Sequence, residues 1–416
     1  MDSIKITPGR LAGSVTVPSS KSAAHRAIAC ALLAGGKARL ENIDLSDDVI
    51  ATISAAKALG CNITLEDNTL TIERSDTIEF ANIDCIESGT TLRFFIPIAA
   101  ALGIKATFTG KGRLPQRPIK VLTDLLESHG VKCSNDSLPL TIEGNLTGGN
   151  FYLPGNISSQ FISGLLLALP LTGQDCQVIL TTPLESAGYV EMTIDIMNAF
   201  GVKVEKTESG YYIKPGQEYK SNNFFVEGDW SQAAFFMAAA AIGGDITIHG
   251  LNRNSTQGDK AAAEIFQRFG ADITFLENGM NIKHKDLKGI EIDASQIPDL
   301  VPALAVTAAF AKGTTRIHSA SRLRLKESDR LAEIAKNLKN MGINVTETYD
   351  ELIIEGGKPK GAEIDSAGDH RIAMAFSVAA SYSEPSSIIK GYSSINKSYP
   401  LFYQDFKKLG GKANVL

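Results

Sequence analysis

The chain has 416 residues, of which 44% are apolar and 21% charged, and its 41 basic and 46 acidic side chains leave a net charge of −5. This balance argues against a general nucleic-acid binder, which usually carries a basic excess, and the length suggests two or three domains. The longest apolar runs have about a dozen residues, fewer than the roughly 20 that a membrane-spanning helix needs, so we expect no membrane span.

Along the chain, one pattern recurs six times: an amphipathic helix, a glycine and a short alternating strand. The first instance is SAAKALG followed by CNITLED, and the last is DFKKLG followed by GKANVL. The six glycines are Gly60, Gly130, Gly201, Gly270, Gly342 and Gly410, at successive spacings of 70, 71, 69, 72 and 68 residues. Glycine adopts the left-handed conformation that ends many helices without a Cβ penalty, so we predict a helix end at each of them.

Each unit also contains an earlier, more apolar helix that opens with small polar residues. In chain order these openings read PSSKSAAHR, ESGTTLRFF, GNISSQFIS, GDWSQAAFF, DASQIPDLV and SAGDHRIAM. Helices that are apolar on nearly all sides are buried, and Ser, Thr or Asp at their starts predicts N-capping. Each unit of about 70 residues is therefore predicted as strand, buried helix, strand, surface helix, strand.

Charged and polar side chains collect at the starts of these predicted helices. They are Lys21, Ser22, Arg26, Thr90, Arg93, Arg117, Ser158, Ser159, Gln160, Asp299, Lys326, Glu327, Arg330, Asp369, His370, Arg371 and Lys397. A helix N-terminus favours anions, and cations placed there are disfavoured unless an anion joins them. The set therefore predicts a strongly basic site for a small, multiply charged anion, held by Arg and Lys.

Other chemistries have little support. The six histidines show no HxxxH or HxxH spacing, and the five cysteines form no CxxC pair, which is not typical of a zinc site. No phosphate-loop, dinucleotide or nucleophile-elbow motif occurs. We expect no cofactor and no metal. An odd number of cysteines without a signal-like N-terminus indicates reduced thiols and a cytoplasmic location.

At these residues the sequence resembles the enolpyruvyl transferase family, and within it the 5-enolpyruvylshikimate-3-phosphate synthases (3-phosphoshikimate 1-carboxyvinyltransferases). The resemblance runs from about Ile4 to Leu409. The most specific stretches are Pro18-Ser-Ser-Lys-Ser22 with Arg26, Ser88-Gly-Thr90, Arg117-Pro118, Ser158-Ser-Gln160, Glu227-Gly-Asp229, Ile297-Pro-Asp299, Leu325-Lys-Glu-Ser-Asp-Arg330, Asp369-His-Arg371 and Lys397.

The resemblance implies an α/β fold, a two-domain inside-out α/β barrel of six βαβαββ repeats with three repeats per domain. It places residues 1–18 and 228–416 in one domain, residues 19–227 in the other, and the active site in the cleft between them. It also implies an enzyme, a transferase of the shikimate pathway that leads to chorismate and the aromatic amino acids. Its partners would be shikimate 3-phosphate and phosphoenolpyruvate, and we expect a monomer.

The implied reaction attaches the enolpyruvyl (carboxyvinyl) group of phosphoenolpyruvate to the 5-hydroxyl of shikimate 3-phosphate by addition and elimination, with release of phosphate. Asp299 would be the base, Glu327 the acid at carbon, and Lys21 would assist. The residues implied for shikimate 3-phosphate are Lys21, Ser22, Arg26, Ser158, Ser159, Gln160, Ser186, Tyr189, Asp299 and Lys326. Those implied for phosphoenolpyruvate are Lys21, Gly89, Arg117, Gln160, Arg330, Arg371 and Lys397.

Two positions depart from the family pattern. Glu87 stands where many members have Asn, so its carboxylate either turns away from the anion site or pairs with a cation such as Arg93 or Arg117. Arg322 stands where some members have Asn, and we give it no role. Gly89 lies at the position that governs sensitivity to glyphosate in the family, and a glycine there suggests that glyphosate inhibits this enzyme.

Two alternatives remain. The sister enzyme that transfers enolpyruvate to UDP-N-acetylglucosamine shares the six units, but it usually has a cysteine in the loop before Arg117, where this chain reads TGKGRLPQ. A non-enzymatic repeat protein, such as a clamp or scaffold, is compatible with sixfold repetition. It has no need of Lys, Arg, Asp and Glu gathered at helix starts.

Overall fold

The structure, a computed structural model, describes residues 2–75 and 77–416. The chain divides into two units. The continuous unit is Ser19–Glu227, and the discontinuous unit is Met1–Pro18 together with Gly228–Leu416.

The continuous unit alternates strands and helices along its length. Its helices are α1 (Lys21–Leu33), α2 (Asp47–Ala58), α3 (Gly89–Ala101), α4 (Lys120–Glu127), α5 (Ser159–Ala168) and α6 (Ala187–Ala199). Its strands are β3 (Lys37–Glu41), β4 (Cys61–Glu66), β5 (Thr69–Arg74), β6 (Phe80–Asp84), β7 (Lys105–Thr109), β8 (Val131–Cys133), β9 (Leu140–Gly144), β10 (Gly149–Leu153), β11 (Cys176–Leu180), β12 (Glu205–Thr207), β13 (Gly210–Ile213) and β14 (Asn223–Phe225).

The discontinuous unit repeats the same alternation. Its helices are α7 (Trp230–Gly243), α8 (Ala262–Phe269), α9 (Val301–Ala308), α10 (Arg330–Asn340), α11 (His370–Ala380) and α12 (Phe402–Lys408). Its strands are β1 (Ser3–Thr7), β2 (Ala12–Thr16), β15 (Asp245–His249), β16 (Asp272–Leu276), β17 (Gly279–Lys283), β18 (Glu291–Asp293), β19 (Thr314–His318), β20 (Asn344–Glu347), β21 (Leu352–Glu355), β22 (Glu363–Asp365), β23 (Ser387–Lys390) and β24 (Lys412–Val415). Short 3-10 turns lie at Leu114–Gln116, Leu169–Thr172, Gly258–Ala261, Pro298–Leu300, Ser321–Leu325 and Tyr392–Lys397.

The named strands of the described chain form six four-stranded sheets with one common plan. In the sheet β6-β7-β9-β8, β6 and β7 run parallel, while β7 with β9 and β8 with β9 run antiparallel. The parallel pair is joined through a buried helix, as βαβ connections require. The prediction of six units is confirmed. Five of them contain a second C-terminal strand that the sequence pattern did not reveal, and in the sixth the place of this strand is taken by β1.

Three strands complete a sheet far from their own place in the sequence. β14 is the parallel edge strand beside β3, β2 is the parallel edge strand beside β15, and β1 lies between β23 and β24. The register of β1 pairs Ile4 with Ile389 and with Val415. Because these strands pair with strands that are distant in sequence, a repeat at either end of a structural unit does not form its sheet from its own consecutive residues alone.

The glycine prediction is confirmed at all six positions. The φ angles are 92° at Gly60, 91° at Gly130, 88° at Gly201, 115° at Gly270, 80° at Gly342 and 92° at Gly410. Each follows a surface helix and turns the chain toward the next strand, a backbone conformation that side chains with a Cβ seldom adopt. The spacing of about 70 residues therefore corresponds to one left-handed glycine after the surface helix of each repeat.

Buried and surface helices alternate as predicted. α1, α3, α5, α7, α9 and α11 are buried along nearly their whole length, and none of the described helices is long and apolar enough to cross a membrane. Side chains of Ser20, Ser88, Ser158, Asp229 and Asp369 cap five of them. α9 differs, because a 3-10 turn that begins at Pro298 leads into it and no side chain caps it.

Each unit has its own hydrophobic core around its three buried helices. Within the continuous unit, α3 and α5 approach so closely that a Cβ added at Gly164 would lie 2.3 Å from the carbonyl oxygen of Arg93. Glycine at this position permits the helix contact. Because Arg93 and Gln160 stand near the starts of these helices, the same contact sets the spacing of their polar ends.

Candidate active site

The start of α1 is tied to the start of α2 by an ion pair. Lys21 Nζ lies 2.6 Å from Asp48 Oδ2, and both side chains are largely buried. Because Lys21 is the first residue of α1, its ammonium group stands beside a helix N-terminus, as the sequence predicted. Asp48 was not recognised from the sequence, since an acidic residue in the first turn of a helix is common for helix-dipole reasons alone.

Arg26, one turn further along α1, is almost fully buried among neutral acceptors. Its Nε donates to Thr193 Oγ1 at 2.7 Å, its Nη1 to the Ser22 carbonyl at 2.8 Å, and its Nη2 to the Tyr189 carbonyl at 3.0 Å and Ser163 Oγ at 3.3 Å. Burial lowers the pKa of Arg26 to about 10, so the group stays protonated at neutral pH. A buried cation held by neutral groups favours a nearby anion.

Two guanidinium groups flank Gly89 at the start of α3. A Cβ at Gly89 would lie 2.6 Å from Arg93 Nη1 and 2.7 Å from Arg117 Nη1. Arg93 Nη1 also donates to Gln160 Oε1 at 2.8 Å, and Gln160 Nε2 donates to Thr90 Oγ1 at 2.8 Å. The starts of α3 and α5 are thereby joined into one cationic and amide-lined surface.

The remaining predicted residues of this unit also lie at helix starts. Ser158 caps α5 by accepting from the Gln160 amide at 3.3 Å, and Ser159 is the buried first residue of that helix. Ser186 is a buried non-glycine residue with φ 55° just before α6, and Tyr189 lies in the first turn of that helix. Backbone strain of this kind occurs preferentially at functional sites.

Glu87 precedes Ser88 and faces the loop that leads to Arg117. A Cβ at Gly112 would lie 2.5 Å from the Glu87 Oε1 atom, so this carboxylate is packed against the Gly112 backbone. That contact places Glu87 beside the loop that leads to Arg117.

In the discontinuous unit, Asp299 collects three cations. Its Oδ1 accepts from Arg330 Nη1 at 2.9 Å and from Lys326 Nζ at 3.4 Å, and its Oδ2 lies 3.2 Å from Arg371 Nη2. Arg371 Nη1 also donates to the Asp299 carbonyl at 3.0 Å. The three cations come from the turn before α10, from α10 itself and from α11, so three segments converge on the carboxylate of Asp299.

Arg330 is the centre of this cluster and is only 1% exposed. Its Nε donates to Asp369 Oδ2 at 2.8 Å, and its Nη2 donates to Glu327 Oε2 at 2.6 Å. Asp369 is fully buried, accepts from Ser328 Oγ at 3.0 Å and caps α11 through the Arg371 amide at 2.9 Å. One guanidinium therefore spans Asp299, Glu327 and Asp369.

The electrostatics of the cluster follow from this geometry. Burial raises the pKa of Asp299, but the charges of Arg371, Lys326 and Arg330 outweigh it and hold the pKa well below 3.8. Burial lowers the pKa of Lys326 to about 8, although Asp299 opposes the shift. Burial also lowers the pKa of Arg330, but Asp369, Glu327 and Asp299 raise it above its ordinary value. The ionised forms stabilise one another.

The prediction of a strongly basic site needs correction in this unit. Asp299, Glu327 and Asp369 compensate much of the charge of Lys326, Arg330 and Arg371. Buried cations without counter-ions are costly, so a stable fold needs these carboxylates before any ligand binds. An incoming anion must therefore compete with carboxylates for its cations.

Sequence reasoning missed one partner in this cluster and one in the continuous unit. Asp259 is buried, accepts a short hydrogen bond from Ser231 Oγ, and burial together with the charge of Asp299 raises its pKa to about 6. Arg93 was noted as a polar helix-start residue but given no role, although its position four residues after Gly89 was a usable signal. Lys397 ends the 3-10 turn Tyr392–Lys397 and is buried.

Within residues 2–75 and 77–416, no three His, Cys, Asp or Glu side chains are grouped so that they could hold a metal ion. The five cysteines are free thiols, four of them buried. The polar groups of both clusters are suited to binding anions and to moving protons between oxygen atoms.

Comparison with known proteins gives consistent results. The family model of EPSP synthase (3-phosphoshikimate 1-carboxyvinyltransferase) matches residues 6–406. The 3-phosphoshikimate 1-carboxyvinyltransferase of Clostridium perfringens is 46% identical over 419 residues, covering 99% of each chain, and that of Clostridium novyi is 44% identical over 426 residues, covering 99% of this chain and 98% of the relative.

Solved structures agree with this similarity. EPSP synthase from Acinetobacter baumannii superposes with a TM-score of 0.85 at 29% identity, with 100% of each chain covered. The enolpyruvyl transferase NikO from Streptomyces tendae superposes with a TM-score of 0.81 at 16% identity, covering 100% of this chain and 99% of that one. The second likeness concerns the fold alone.

Proposed function

The chain belongs to the EPSP synthase family, and from this premise we propose how its residues carry out the family's reaction. That reaction transfers the enolpyruvyl group of phosphoenolpyruvate to the 5-hydroxyl of shikimate 3-phosphate and releases phosphate. The chain is accordingly a transferase of the shikimate pathway, with the inside-out two-domain α/β fold of its structural neighbours.

The residues of the continuous unit bind anionic groups in this proposal. Arg26, with Ser22, Ser158, Ser159, Ser186 and Tyr189, holds shikimate 3-phosphate, and Lys21 and Gln160 contact both substrates. Arg117 and the Gly89 backbone contact phosphoenolpyruvate. The proposal is supported by the two guanidinium groups beside Gly89 and by the burial of Arg26 among neutral acceptors.

The residues of the discontinuous unit carry the proton chemistry and complete the phosphoenolpyruvate site. Arg330, Arg371 and Lys397 bind phosphoenolpyruvate, and Lys326 and Asp299 contact shikimate 3-phosphate. Asp299 accepts the proton of the 5-hydroxyl as its oxygen attacks C2 of the enol. Glu327, assisted by Lys21, gives a proton to C3, and the tetrahedral intermediate then loses a proton from C3 and expels phosphate, which restores the double bond of the enolpyruvyl group.

One observation carries the assignment of Asp299: three cations converge on its carboxylate. A carboxylate held in this way is a weak base, because its pKa lies well below 3.8. When the carboxylate and phosphate of phosphoenolpyruvate bind to Arg330 and Arg371, these two cations stabilise the ionised form of Asp299 less strongly. Its affinity for a proton then rises at the moment the hydroxyl is ready to react.

A phosphate-release assay with both substrates tests the function directly. We expect release only when shikimate 3-phosphate and phosphoenolpyruvate are both present, and none when UDP-N-acetylglucosamine replaces the shikimate ester. Release with the nucleotide sugar instead would support the sister activity. Failure to bind either anion by calorimetry would support a non-enzymatic role.

Inhibition by glyphosate is a further part of the proposal and is supported by the absence of a side chain at Gly89. We expect competition with phosphoenolpyruvate in the wild-type chain. In Gly89→Ala the new methyl group would displace the Arg93 and Arg117 guanidinium groups and weaken the inhibition. An inhibition curve that stays flat at high glyphosate concentration would refute this.

The assembly and location of the enzyme are proposed as a monomer in the cytoplasm. The five free thiols support a reducing compartment. Light scattering coupled to size-exclusion chromatography should give the mass of one chain, about 44.4 kDa, whereas a doubled mass would contradict the monomer.

A further inference from the structure

Helix α2 contacts α1 through two polar residues one turn apart. Asp48 and Thr52 are four positions apart on α2, and they bond to Lys21 and His25, which are four positions apart on α1. Residues at i and i+4 lie on one face of a helix. The polar face of α2 therefore packs against the first turns of α1, where Lys21 lies.

From Thr52, a chain of buried hydroxyl groups continues to the start of α3. His25 Nδ1 lies 2.5 Å from Thr52 Oγ1, Thr52 Oγ1 lies 2.7 Å from Thr91 Oγ1, and Thr91 Oγ1 donates to Ser88 Oγ at 2.8 Å. All four side chains are completely buried. The chain crosses three helices and ends on the cap of α3.

The donor and the acceptor of each bond in this chain of hydroxyl groups follow from the bond at its end, in which Thr91 donates to Ser88. Since Thr91 donates its hydroxyl hydrogen to Ser88, it must accept from Thr52, which in turn accepts from His25 Nδ1–H. The Asp48 carbonyl lies 3.4 Å from Thr52 Oγ1, a longer and weaker alternative. Burial lowers the pKa of His25 to about 3, so the ring is neutral and can carry its hydrogen on Nδ1 at working pH.

The two ends of the chain adjoin residues with proposed substrate contacts. Ser88 immediately precedes Gly89, and its Oγ also accepts from the Thr91 amide at 3.2 Å as the cap of α3. His25 lies one turn after Lys21, which Asp48 holds. No member of the chain itself is among the residues proposed to contact a substrate.

We propose that His25, Thr52 and Thr91 are positioning residues that fix the start of α3, with Gly89, relative to the start of α1, with Lys21. This inference rests on the proposed roles of Lys21 and Gly89. Its consequence is that the hydroxyl groups of Thr52 and Thr91 contribute to phosphoenolpyruvate binding although neither touches the substrate.

The expected size of the effect on phosphoenolpyruvate binding is set by the hydrogen bonds that a single substitution removes. Replacing Thr91 by Val keeps the shape and β-branching of the side chain but removes the acceptor of Thr52 and one donor to Ser88. A buried hydrogen bond has a net value of about 1 kcal/mol, which corresponds to about a fivefold change in an equilibrium constant. We therefore expect KM for phosphoenolpyruvate to rise about fivefold in Thr91→Val.

The experiment compares steady-state constants and melting temperatures of full-length variants. Thr91→Val and Thr52→Val remove a link, Thr91→Ser and Thr52→Ser retain the hydroxyl, and the double Val variant tests whether both act in one chain. Thr107→Val is the matched control, because Thr107 Oγ1 also bonds to a threonine hydroxyl, that of Thr141, at 2.9 Å in the same unit.

We expect either Val variant to raise KM for phosphoenolpyruvate more than it changes kcat, the Ser variants to restore it to within about twofold, and the double variant to be no worse than the more affected single one. Thr107→Val should lower the melting temperature without changing KM. A purely structural role would lower melting temperatures alone.

An unchanged KM in Thr91→Val would overturn the proposal, as would a Thr107→Val control with the same rise or Ser variants that do not restore binding. If Thr91→Val does not fold, Thr52→Val is judged by the same criteria. Absence of turnover in the wild-type chain would overturn the proposed function instead, and this is measured first, so the two failures are distinguishable.

Discussion

Asp299 is a largely buried carboxylate that three cations contact. Arg330, Lys326 and Arg371 all reach it, while Arg330 is satisfied separately by Asp369 and Glu327. Two kinds of carboxylate can be distinguished in the cluster. Asp369 is fully buried, whereas Asp299 is partly exposed.

Asp299→Asn keeps the size of the side chain but removes the proposed base. We expect kcat to fall by about 10²- to 10⁴-fold, the usual contribution of general base catalysis, with an unchanged circular dichroism spectrum. Asp286→Asn is the control, because Asp286 forms only an exposed pair with Lys312 in the same unit. Near-normal turnover of Asp299→Asn would contradict the assignment of the base.

Asp369→Ala should act on stability. Removing one partner of a buried ion pair costs about 3–5 kcal/mol, because the buried Nε of Arg330 loses its acceptor and α11 loses its N-terminal cap. The exposed pair of Glu363 with Lys390 provides the control, and Glu363→Ala should cost about 1 kcal/mol or less. Urea denaturation followed by far-ultraviolet circular dichroism measures both, and equal losses would contradict the structural role of Asp369.

At the scale of the elements, the contact between α3 and α5 is governed by one residue. Gly164→Ala would place a methyl carbon 2.3 Å from the Arg93 carbonyl oxygen and 3.3 Å from the Phe94 Cα atom. Both neighbours are helix backbone, so the helices must separate. We expect a loss of about 1–3 kcal/mol in the free energy of unfolding.

The same separation would move Gln160 away from Arg93 and Thr90, so KM for phosphoenolpyruvate should rise as well. Gly35→Ala is a suitable control, because an added Cβ there meets no atom within 4 Å and the backbone is not left-handed. If Gly164→Ala were as stable as Gly35→Ala, the close approach of the two helices would not be the constraint that the distances indicate.

The elements also show what a sequence can predict. The left-handed glycines and the apolar helices are local features, so Gly60 and its five counterparts revealed the units directly. Partners that are distant in sequence were not accessible in this way. Nothing in the local pattern of β1 or β2 indicates pairing with strands beyond residue 244, and the bond between Arg330 and Asp369 spans 39 positions.

The candidate site could likewise be predicted in its local features but not in its contacts between distant residues. Helix starts and charged residues were visible in the sequence, and the structure joins Asp299 with Lys326, Arg330 and Arg371 in one cluster. The compensating role of Asp369 and the hydroxyl chain from His25 depend on contacts between helices. Serine, threonine and histidine in apolar helices are usually satisfied core residues, and only their mutual distances give these a role.

At the scale of the whole molecule, the discontinuous unit depends on the first strand of the chain. Ile6 in β1 is fully buried, and β1 is hydrogen-bonded on both sides, to β23 and β24. Ile6→Ala should cost about 2–5 kcal/mol through the cavity it leaves. We expect faster amide hydrogen exchange in β22–β24 and α11.

Lys5→Ala is the control on the same strand, because its side chain is exposed and its backbone bonds are kept. It should leave the exchange rates of β23 and β24 unchanged. If Ile6→Ala and Lys5→Ala gave the same exchange pattern, the central place of β1 in its sheet would not determine the stability of this unit.

The central position of β1 has a consequence for synthesis on the ribosome. All strands of the continuous unit are complete by Phe225, whereas β1 has to wait for β24, which ends at Val415. At about 5 to 20 residues per second, this wait lasts roughly 20 to 80 seconds. Until β23 and β24 have been synthesised, β1, with its buried residues Ile4 and Ile6, lacks the two strands that flank it in the sheet. β1 is thus synthesised long before the strands that flank it, and it reaches its final hydrogen bonds only after β24 has been made.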